Sequence, residues 1–175
     1  IKSINALRWD GKGWWSAGFD GLGICDVMTH HGFHPRGTVL GLLGGGGAAR
    51  STALAWAQNG GTIHLLGGKR ELGDGPWVDS LTSQEPDVVV NFESGVPVFD
   101  ADVVLHASYS NMEGALDERV DRIIAMPLDG RWLLVAQHLA CWKHLWAPER
   151  KADLPSLELL LNRLIVAETT LSEYA

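Results

Sequence analysis

Four consecutive glycines connect an apolar segment of the sequence to a run of helix-forming residues. Residues 38–50 read Thr-Val-Leu-Gly-Leu-Leu-Gly-Gly-Gly-Gly-Ala-Ala-Arg. A buried strand that turns through glycines into a helix offers free N–H groups and a partial positive charge to an anion. We therefore predict a turn that binds the diphosphate of a dinucleotide. The alternative is a flexible glycine-rich loop without a binding role. Gly44 would make the turn, Gly46 would admit a phosphate close to the main chain, and Ala49 would let the helix pack on the strand.

The end of the next predicted strand bears on which dinucleotide is bound. NAD-binding folds place an Asp or Glu there, about 20 residues beyond the glycines, to bind the ribose hydroxyls. Here Lys69 and Arg70 come before the first acid, Glu71. Cations pair with a 2′-phosphate, which a carboxylate would repel. The sequence favours NADP(H) over NAD(H), and a solvated basic turn is the alternative.

The apolar pattern places this turn in an α/β domain. We predict strands at 4–10, 13–17, 38–43, 62–66, 87–91, 103–106 and 122–126, and helices at 20–31, 47–59, 131–146 and 155–173. Pro155 fits the first turn of the last helix. A strand, a helix and a strand within about thirty residues form a βαβ unit, which builds parallel sheets. The predicted fold is one Rossmann-like, doubly wound α/β domain with a mainly parallel sheet and a C-terminal helical pair.

The composition excludes several classes of protein. Of the 175 residues, 46% are apolar and 20% are charged, which is typical of a globular protein. The net charge of −7, with no run of Lys or Arg, argues against a nucleic-acid surface. No unbroken apolar stretch approaches about 18 residues, so we expect no membrane span.

The cysteines and histidines do not predict a metal site. Cys25 and Cys141 lie far apart in the sequence, and we expect two reduced, buried thiols in a cytoplasmic protein. His30, His31 and His34 fall in one turn without a fourth ligand, so we predict no bound metal.

Five blocks of the sequence resemble, in order, the motifs of the shikimate dehydrogenase family. Residues 44–50 resemble its Gly-Ala-Gly-Gly-Ala-Ala-Arg phosphate turn. The others are Ile4-Asn5-Ala6-Leu7, similar to Ile/Val-Asn-Thr; Gly18-Phe19-Asp20-Gly21-Leu22-Gly23, similar to Asn-Thr-Asp-Gly-x-Gly; residues 101–108, similar to the Asp-x-x-Ile-Asn-Ala-Thr strand beside the cofactor; and residues 129–137, similar to Asp-Gly-x-x-Met-Leu-x-x-Gln. Together they cover nearly the whole chain.

The resemblance implies an activity and a set of site residues. The activity is the NADP-dependent interconversion of 3-dehydroshikimate and shikimate, with a quinate- or aminoshikimate-type substrate or a non-catalytic NADP(H)-binding module as alternatives. Asp20 would be half of a catalytic Lys–Asp pair, and Asn5, Asp20 and Gln137 would bind a small polyol acid. The cofactor-binding residues that it implies are Gly44, Gly45, Gly46, Gly47, Ala48, Ala107, Ser108 and Gly130. Lys69 and Arg70, predicted above from their charge and position, complete the set.

Each of these roles has a structural alternative. Asp20 would also serve as a helix N-terminal cap, and Asn5 and Gln137 would serve as buried structural amides. Trp132 is more typical of a packing residue than of a nicotinamide stack. The pair at 14–15, Trp-Trp, belongs either to the core or to a surface between domains.

The sequence also departs from the family pattern. The phosphate-binding Asn-Arg-Thr is replaced by Gly67-Gly68-Lys69, the Asn and Thr before the catalytic Asp by Gly18-Phe19, and Tyr-Asn-Pro by Ala125-Met126-Pro127. The family's N-terminal domain, with its Ser-x-Ser pair and catalytic lysine, has no counterpart in this sequence. We expect residues of about 1–37 and 129–175 to face that domain or a partner chain.

Overall fold

A five-stranded parallel sheet forms the centre of the fold in the computed structural model, which describes residues 3–95, 97–108 and 128–172. The elements in chain order are β1 (Ala6–Trp9), β2 (Trp14–Ala17), α1 (Asp20–His30), β3 (Val39–Leu43), α2 (Gly47–Gln58), β4 (Thr62–Leu65), β5 (Val88–Asn91), β6 (Val103–His106), β7 (Leu128–Asp129), α3 (Gly130–Cys141) and α4 (Leu157–Ser172). The strand order in the sheet is β4-β3-β5-β6-β7. The predicted Rossmann-like α/β fold is confirmed.

The central strands are apolar along their whole length because both of their faces are covered. Leu40, Leu42 and the three valines of β5 are all fully buried, as expected for parallel strands inside an α/β domain. A single parallel bridge between Ile63 and Leu81 adds a further partner on the outer side of β4.

The first two strands form a separate antiparallel hairpin. The Asp10 carboxylate closes its turn by accepting hydrogen bonds from Trp15 Nε1 and from the amides of Lys12 and Gly13. These bonds, led by that of Trp15, lower the pKa of Asp10 to about 2. Trp14 and Trp15 are 69% and 59% exposed, so the core placement considered for this pair is wrong.

Three of the helices pack tightly against one another at glycines. A Cβ on Gly21 in α1 would lie within 3 Å of the Ser51 backbone in α2, and a Cβ on Gly23 would lie 2.9 Å from Gln137 N in α3. Glycine at these two positions allows α1 to lie close to the start of α2 and to the middle of α3. Both thiols are free and buried as predicted, Cys25 on α1 and Cys141 on α3.

The C-terminal helical pair differs in detail from the prediction. α3 ends at Cys141, and a π-helical turn (Trp142–Trp146) and a 3-10 turn (Pro148–Asp153) follow it. α4 begins at Leu157, so Pro155 precedes the helix instead of occupying its first turn, and Ser156 Oγ accepts the Leu159 N–H there.

Two segments of the chain just before α3 bear on the strand predictions. The short β7 was not predicted, because a two-residue strand carries no periodic signal. The predicted strand 122–126 lies outside the described residues. No described helix is long and apolar enough to cross a membrane.

Candidate functional site

The glycine turn leaves open space at the start of α2. Gly44 has a φ of +117°, which favours glycine, and Gly46 precedes the helix with extended backbone and no side-chain cap. A Cβ on Gly46 would meet no atom within 4 Å. The space beside Gly46 is therefore open at the start of α2, and a helix N-terminus is a position that can bind a phosphate. Ala49 is fully buried, consistent with close packing of α2 on the sheet.

The segment after β4 packs backbone to backbone on this turn. Gly44 N donates a 2.8 Å hydrogen bond to Gly67 O. A Cβ on Gly45 would lie 2.3 Å from the Glu71 carbonyl, and a Cβ on Gly68 would lie 2.8 Å from Gly44 Cα. The glycines at 45 and 68 thus serve the contact between the two loops, a purpose that sequence analysis did not assign to them.

Two exposed cations follow these glycines, as predicted. Lys69 and Arg70 are both exposed after β4. Lys69 Nζ donates a 3.2 Å hydrogen bond to Ser94 Oγ, on the loop after β5. Both cations are available to an anion beside the glycine turn, and their role in binding a 2′-phosphate stays a prediction.

A carboxylate that sequence analysis missed lies beside the same turn. The backbone N–H of Lys69 donates a 3.1 Å hydrogen bond to Oε1 of the half-buried Glu93. That oxygen is 2.9 Å from where a Cβ on Gly68 would stand. NAD-binding folds place this acid at the end of the second strand of the βαβ unit, whereas Glu93 reaches the turn from the end of β5.

Three predicted substrate-binding residues lie in contact. Asn5 Nδ2 donates to Asp20 Oδ1 at 2.8 Å and to Gln137 Oε1 at 3.3 Å. Asn5 Oδ1 accepts the Phe19 N–H at 2.9 Å. Asn5 directly precedes β1, Asp20 begins α1, and Gln137 lies on α3. The three residues lie together, and their role in binding substrate stays a prediction.

Burial affects the charge of this polar cluster. Desolvation raises the pKa of Asp20 above its ordinary value, and the hydrogen bond from Asn5 opposes this in part. Gly21 N donates to Ser51 Oγ at 3.0 Å, which ties the start of α1 to the second turn of α2. Asp20 therefore lies on the glycine-turn side of the domain, partly removed from water.

On the side of β3 away from β4, the neighbouring strand is β5 and not β6. Residues 101–108 resemble the family strand that lies beside the cofactor, but the topology places that segment one strand further away. The same Asp-x-x-x-Asn spacing occurs at Asp87 and Asn91 on β5. Ala107 and Ser108 follow β6, with Ala107 N donating to Asn91 O at 2.8 Å. Their contact with a cofactor stays a prediction, but the position beside the glycine turn belongs to the residues after Asn91.

Asn91 organises the loop that carries Glu93. It is fully buried, its Nδ2 donates to Gly95 O at 3.0 Å and lies 3.1 Å from His106 Nδ1, and its Oδ1 accepts the Glu93 N–H at 2.8 Å. A buried amide with these partners fixes the direction in which the loop leaves β5.

The block that begins α3 is held by buried charges. Gly130 is the buried first residue of the helix. Asp129 caps the helix by accepting the Arg131 N–H at 2.9 Å, and its other oxygen accepts from Arg131 Nη1 at 2.6 Å. Arg131 Nε donates to Glu168 Oε2 on α4 at 2.8 Å. Asp129 and Arg131 thus have structural roles, and the proximity of Gly130 to a nicotinamide stays a prediction.

An aromatic cluster is formed by His30, His31 and Trp132. Trp132 is 1% exposed, as expected for a packing residue, and its ring lies 5.6 Å from that of His30 and 4.8 Å from that of His31. Within the described ranges no group of three or more His, Cys, Asp or Glu side chains is arranged to hold a metal ion. The Ala125-Met126-Pro127 block lies outside those ranges.

One curated protein is similar to this chain in sequence. The chain is 27% identical over 187 aligned positions to the shikimate dehydrogenase (NADP(+)) of Natronomonas pharaonis, an alignment that covers 94% of the chain and 70% of the relative. No protein-family model matches the chain.

Solved structures share the fold. An Ael1 enzyme from Pseudomonas putida superposes with a TM-score of 0.69 at 23% identity, over 92% of this chain and 67% of that one. The shikimate dehydrogenase of Mycobacterium tuberculosis gives 0.59 at 17% identity, over 94% and 68%. A shikimate dehydrogenase in complex with NADP+ gives 0.61 at 17%, over 94% and 66%. The chain thus spans about two thirds of each of these proteins. The chain is thus similar in sequence to a shikimate dehydrogenase and shares its fold with solved structures of that family.

Proposed function

We propose that the chain is the cofactor-binding part of a cytoplasmic, NADP-dependent shikimate dehydrogenase, which interconverts 3-dehydroshikimate and shikimate. The observation that carries this proposal is the contact of Asn5 with both Asp20 and Gln137 on the glycine-turn side of the domain. The curated relative, named shikimate dehydrogenase (NADP(+)), supports the assignment. The hydroxyl groups of a small polyol acid can form hydrogen bonds with a cluster of two neutral amides and one carboxylate.

The residues around the glycine turn fit NADP(H). The open space at Gly46 would admit the diphosphate at the start of α2, and Lys69 and Arg70 would pair with the 2′-phosphate. When bound, the nicotinamide would accept or supply the hydride.

The polar cluster would hold the substrate and exchange its proton. Asn5 and Gln137 provide amide groups that would donate to and accept from ring hydroxyls. A carboxyl whose pKa is raised by desolvation is better matched to proton exchange near neutral pH than an exposed one. Among the described residues Asp20 has no ion pair, so its basic partner in a Lys–Asp pair would come from another part of the protein.

A kinetic comparison tests the proposal. The full-length protein should reduce NADP+ with shikimate, followed at 340 nm, with kcat/KM at least about tenfold above that for quinate. A higher kcat/KM for quinate or an aminoshikimate would reassign the substrate within the family.

A non-catalytic NADP(H)-binding module is the second candidate. It is favoured by the absence of a cationic partner for Asp20 within the described part of the chain. Tight NADPH binding by the full-length protein, with no turnover of any of these polyols, would select it.

A further inference from the structure

We propose that Glu93 is a cofactor-specificity residue whose carboxylate binds a ribose hydroxyl of NAD(H), so that the site accepts NAD(H) as well as NADP(H). The inference rests on the proposed function in one respect, since it assumes that a dinucleotide binds at the glycine turn. It adds a residue and a second cofactor that neither the motifs nor the relatives assign.

Three parallel strands end around Glu93. Gly44 follows β3, Gly68 and Lys69 follow β4, and Glu93 itself follows β5, which lies on the other side of β3. Oε1 of Glu93 is 3.1 Å from Lys69 N. It is also 3.6 Å from where a Cβ on Gly44 would stand. The carboxylate therefore occupies the corner between the first glycine of the turn and the end of the next strand.

That corner is where NAD-binding folds hold their ribose acid. In such folds the acid belongs to the end of the second strand of the βαβ unit, which here carries Gly67, Gly68 and Lys69. Two glycines leave that position without a side chain, and Glu93 reaches across into the space. The same carboxylate position is thus supplied from a different strand.

The carboxylate retains the capacity to bind a ligand. Oε1 accepts one backbone N–H, and in the described residues Oε2 has no hydrogen-bond or ion-pair partner. The ammonium of Lys69 donates its hydrogen bond to Ser94 Oγ and forms no ion pair with Glu93. A carboxylate oxygen with free lone pairs is a strong acceptor for a ribose hydroxyl.

Opposed charges at this corner make the preference between cofactors weak. Lys69 and Arg70 attract a 2′-phosphate, and Glu93 repels it while binding the hydroxyl that replaces it in NAD(H). The affinity for NADPH is lowered, and that for NADH is raised, compared with a site that holds the two cations alone.

The test is a titration of the full chain with NADPH and with NADH, followed by cofactor fluorescence. Glu93→Gln keeps an oxygen for the Lys69 N–H but removes the charge. Glu85→Gln is the matched control, because it makes the same change at an exposed position before β5, at the opposite end of that strand. We expect E93Q to bind NADPH about three- to tenfold more tightly and NADH about three- to tenfold more weakly. E85Q should change both constants by less than about twofold.

A second variant guards against a folding defect. Glu93→Thr, checked by circular dichroism and thermal melting, should shift the ratio of the two dissociation constants in the same direction as E93Q. The inference fails if wild-type chain binds NADPH but not NADH, or if the folded variants leave the ratio unchanged or move both constants together. If the wild-type chain binds neither nucleotide, the proposed function itself fails.

Discussion

Asn5 Nδ2 donates a 2.8 Å hydrogen bond to Asp20 Oδ1, although a whole hairpin separates the two residues in the sequence. Asn5 N donates to Ala17 O at 3.0 Å, and Asn5 Oδ1 accepts the Phe19 N–H at 2.9 Å. The closure of the hairpin therefore brings Asn5 to the start of α1. One side chain that joins a strand end to a helix start fixes the position of the carboxyl group.

Replacing this carboxyl should affect catalysis more than cofactor binding. In the full-length protein, Asp20→Asn should lower kcat for shikimate oxidation by about a hundredfold or more, the contribution typical of a positioned proton-transfer group. The Kd for NADPH should stay within about twofold, since Asp20 would contact substrate and not cofactor. Steady-state kinetics and a fluorescence titration measure the two effects. A variant that keeps more than about a third of wild-type turnover would remove Asp20 from the mechanism.

The raised pKa of Asp20 predicts how stability depends on pH. The folded chain holds its proton to higher pH than the unfolded chain, whose Asp titrates near 3.8. The stability that Asp20 contributes is full below the unfolded pKa and is lost as pH rises through the folded pKa. Asp20→Asn should therefore melt at a higher temperature than wild type, by a margin that widens from pH 4 to pH 7. Equal margins at both pH values, measured by thermal denaturation, would contradict the burial of the charged group.

The buried ion pairs of Arg131 should be essential for the C-terminal helices. Arg131 is 5% exposed and binds Asp129 on one side and Glu168 on the other. Arg131→Ala leaves the buried Asp129 carboxylate without this partner and should cost about 3–5 kcal/mol in the free energy of unfolding. Glu168→Gln, at a more exposed position, should cost less, about 1 kcal/mol. Urea denaturation measures both, and similar losses in the two variants would show that burial does not govern this network.

Local patterns in the sequence predict much of the fold. β3, α2, β5 and β6 all lie within two residues of their predicted bounds, because buried parallel strands are continuous apolar runs and α2 begins at a glycine turn and ends at Asn59-Gly60. The cluster of Asn5, Asp20 and Gln137 follows instead from the resemblance of their sequence blocks to shikimate dehydrogenase motifs.

Strand order and loop contacts could not be predicted in this way. Asp87 and Asp102 each begin an apolar run, and the sequence does not show which of the two strands pairs with β3. The pairing depends on packing across the sheet. The structure shows that β5, and not β6 as predicted, is the strand beside the glycine turn. The position of Glu93 depends on the same choice, so the residues that follow β4 in the sequence do not reveal it.

The two cations after β4 should determine the affinity for the 2′-phosphate. Replacing Lys69 and Arg70 together by Ala should weaken NADPH binding by about 1–3 kcal/mol, or about 5- to 150-fold in Kd. NADH binding should change by less than about twofold, because that cofactor has no 2′-phosphate. Isothermal titration with the two nucleotides measures the difference. Parallel weakening of both would place the cations elsewhere on the cofactor.

The most direct measurement is the Kd for NADPH of the full chain and of Gly46→Val. A Cβ at Gly46 would meet no protein atom within 4 Å, and its φ of −73° suits any residue, so the variant should fold normally. Gly13→Val is the matched control, made at a hairpin glycine that also has open space around it. Wild type and G13V should bind NADPH within about twofold of each other. G46V should melt as wild type does and bind at least about a hundredfold more weakly, because the valine fills the place of the diphosphate. Binding by folded G46V within a few-fold of wild type would contradict the assignment of the cofactor site to this turn.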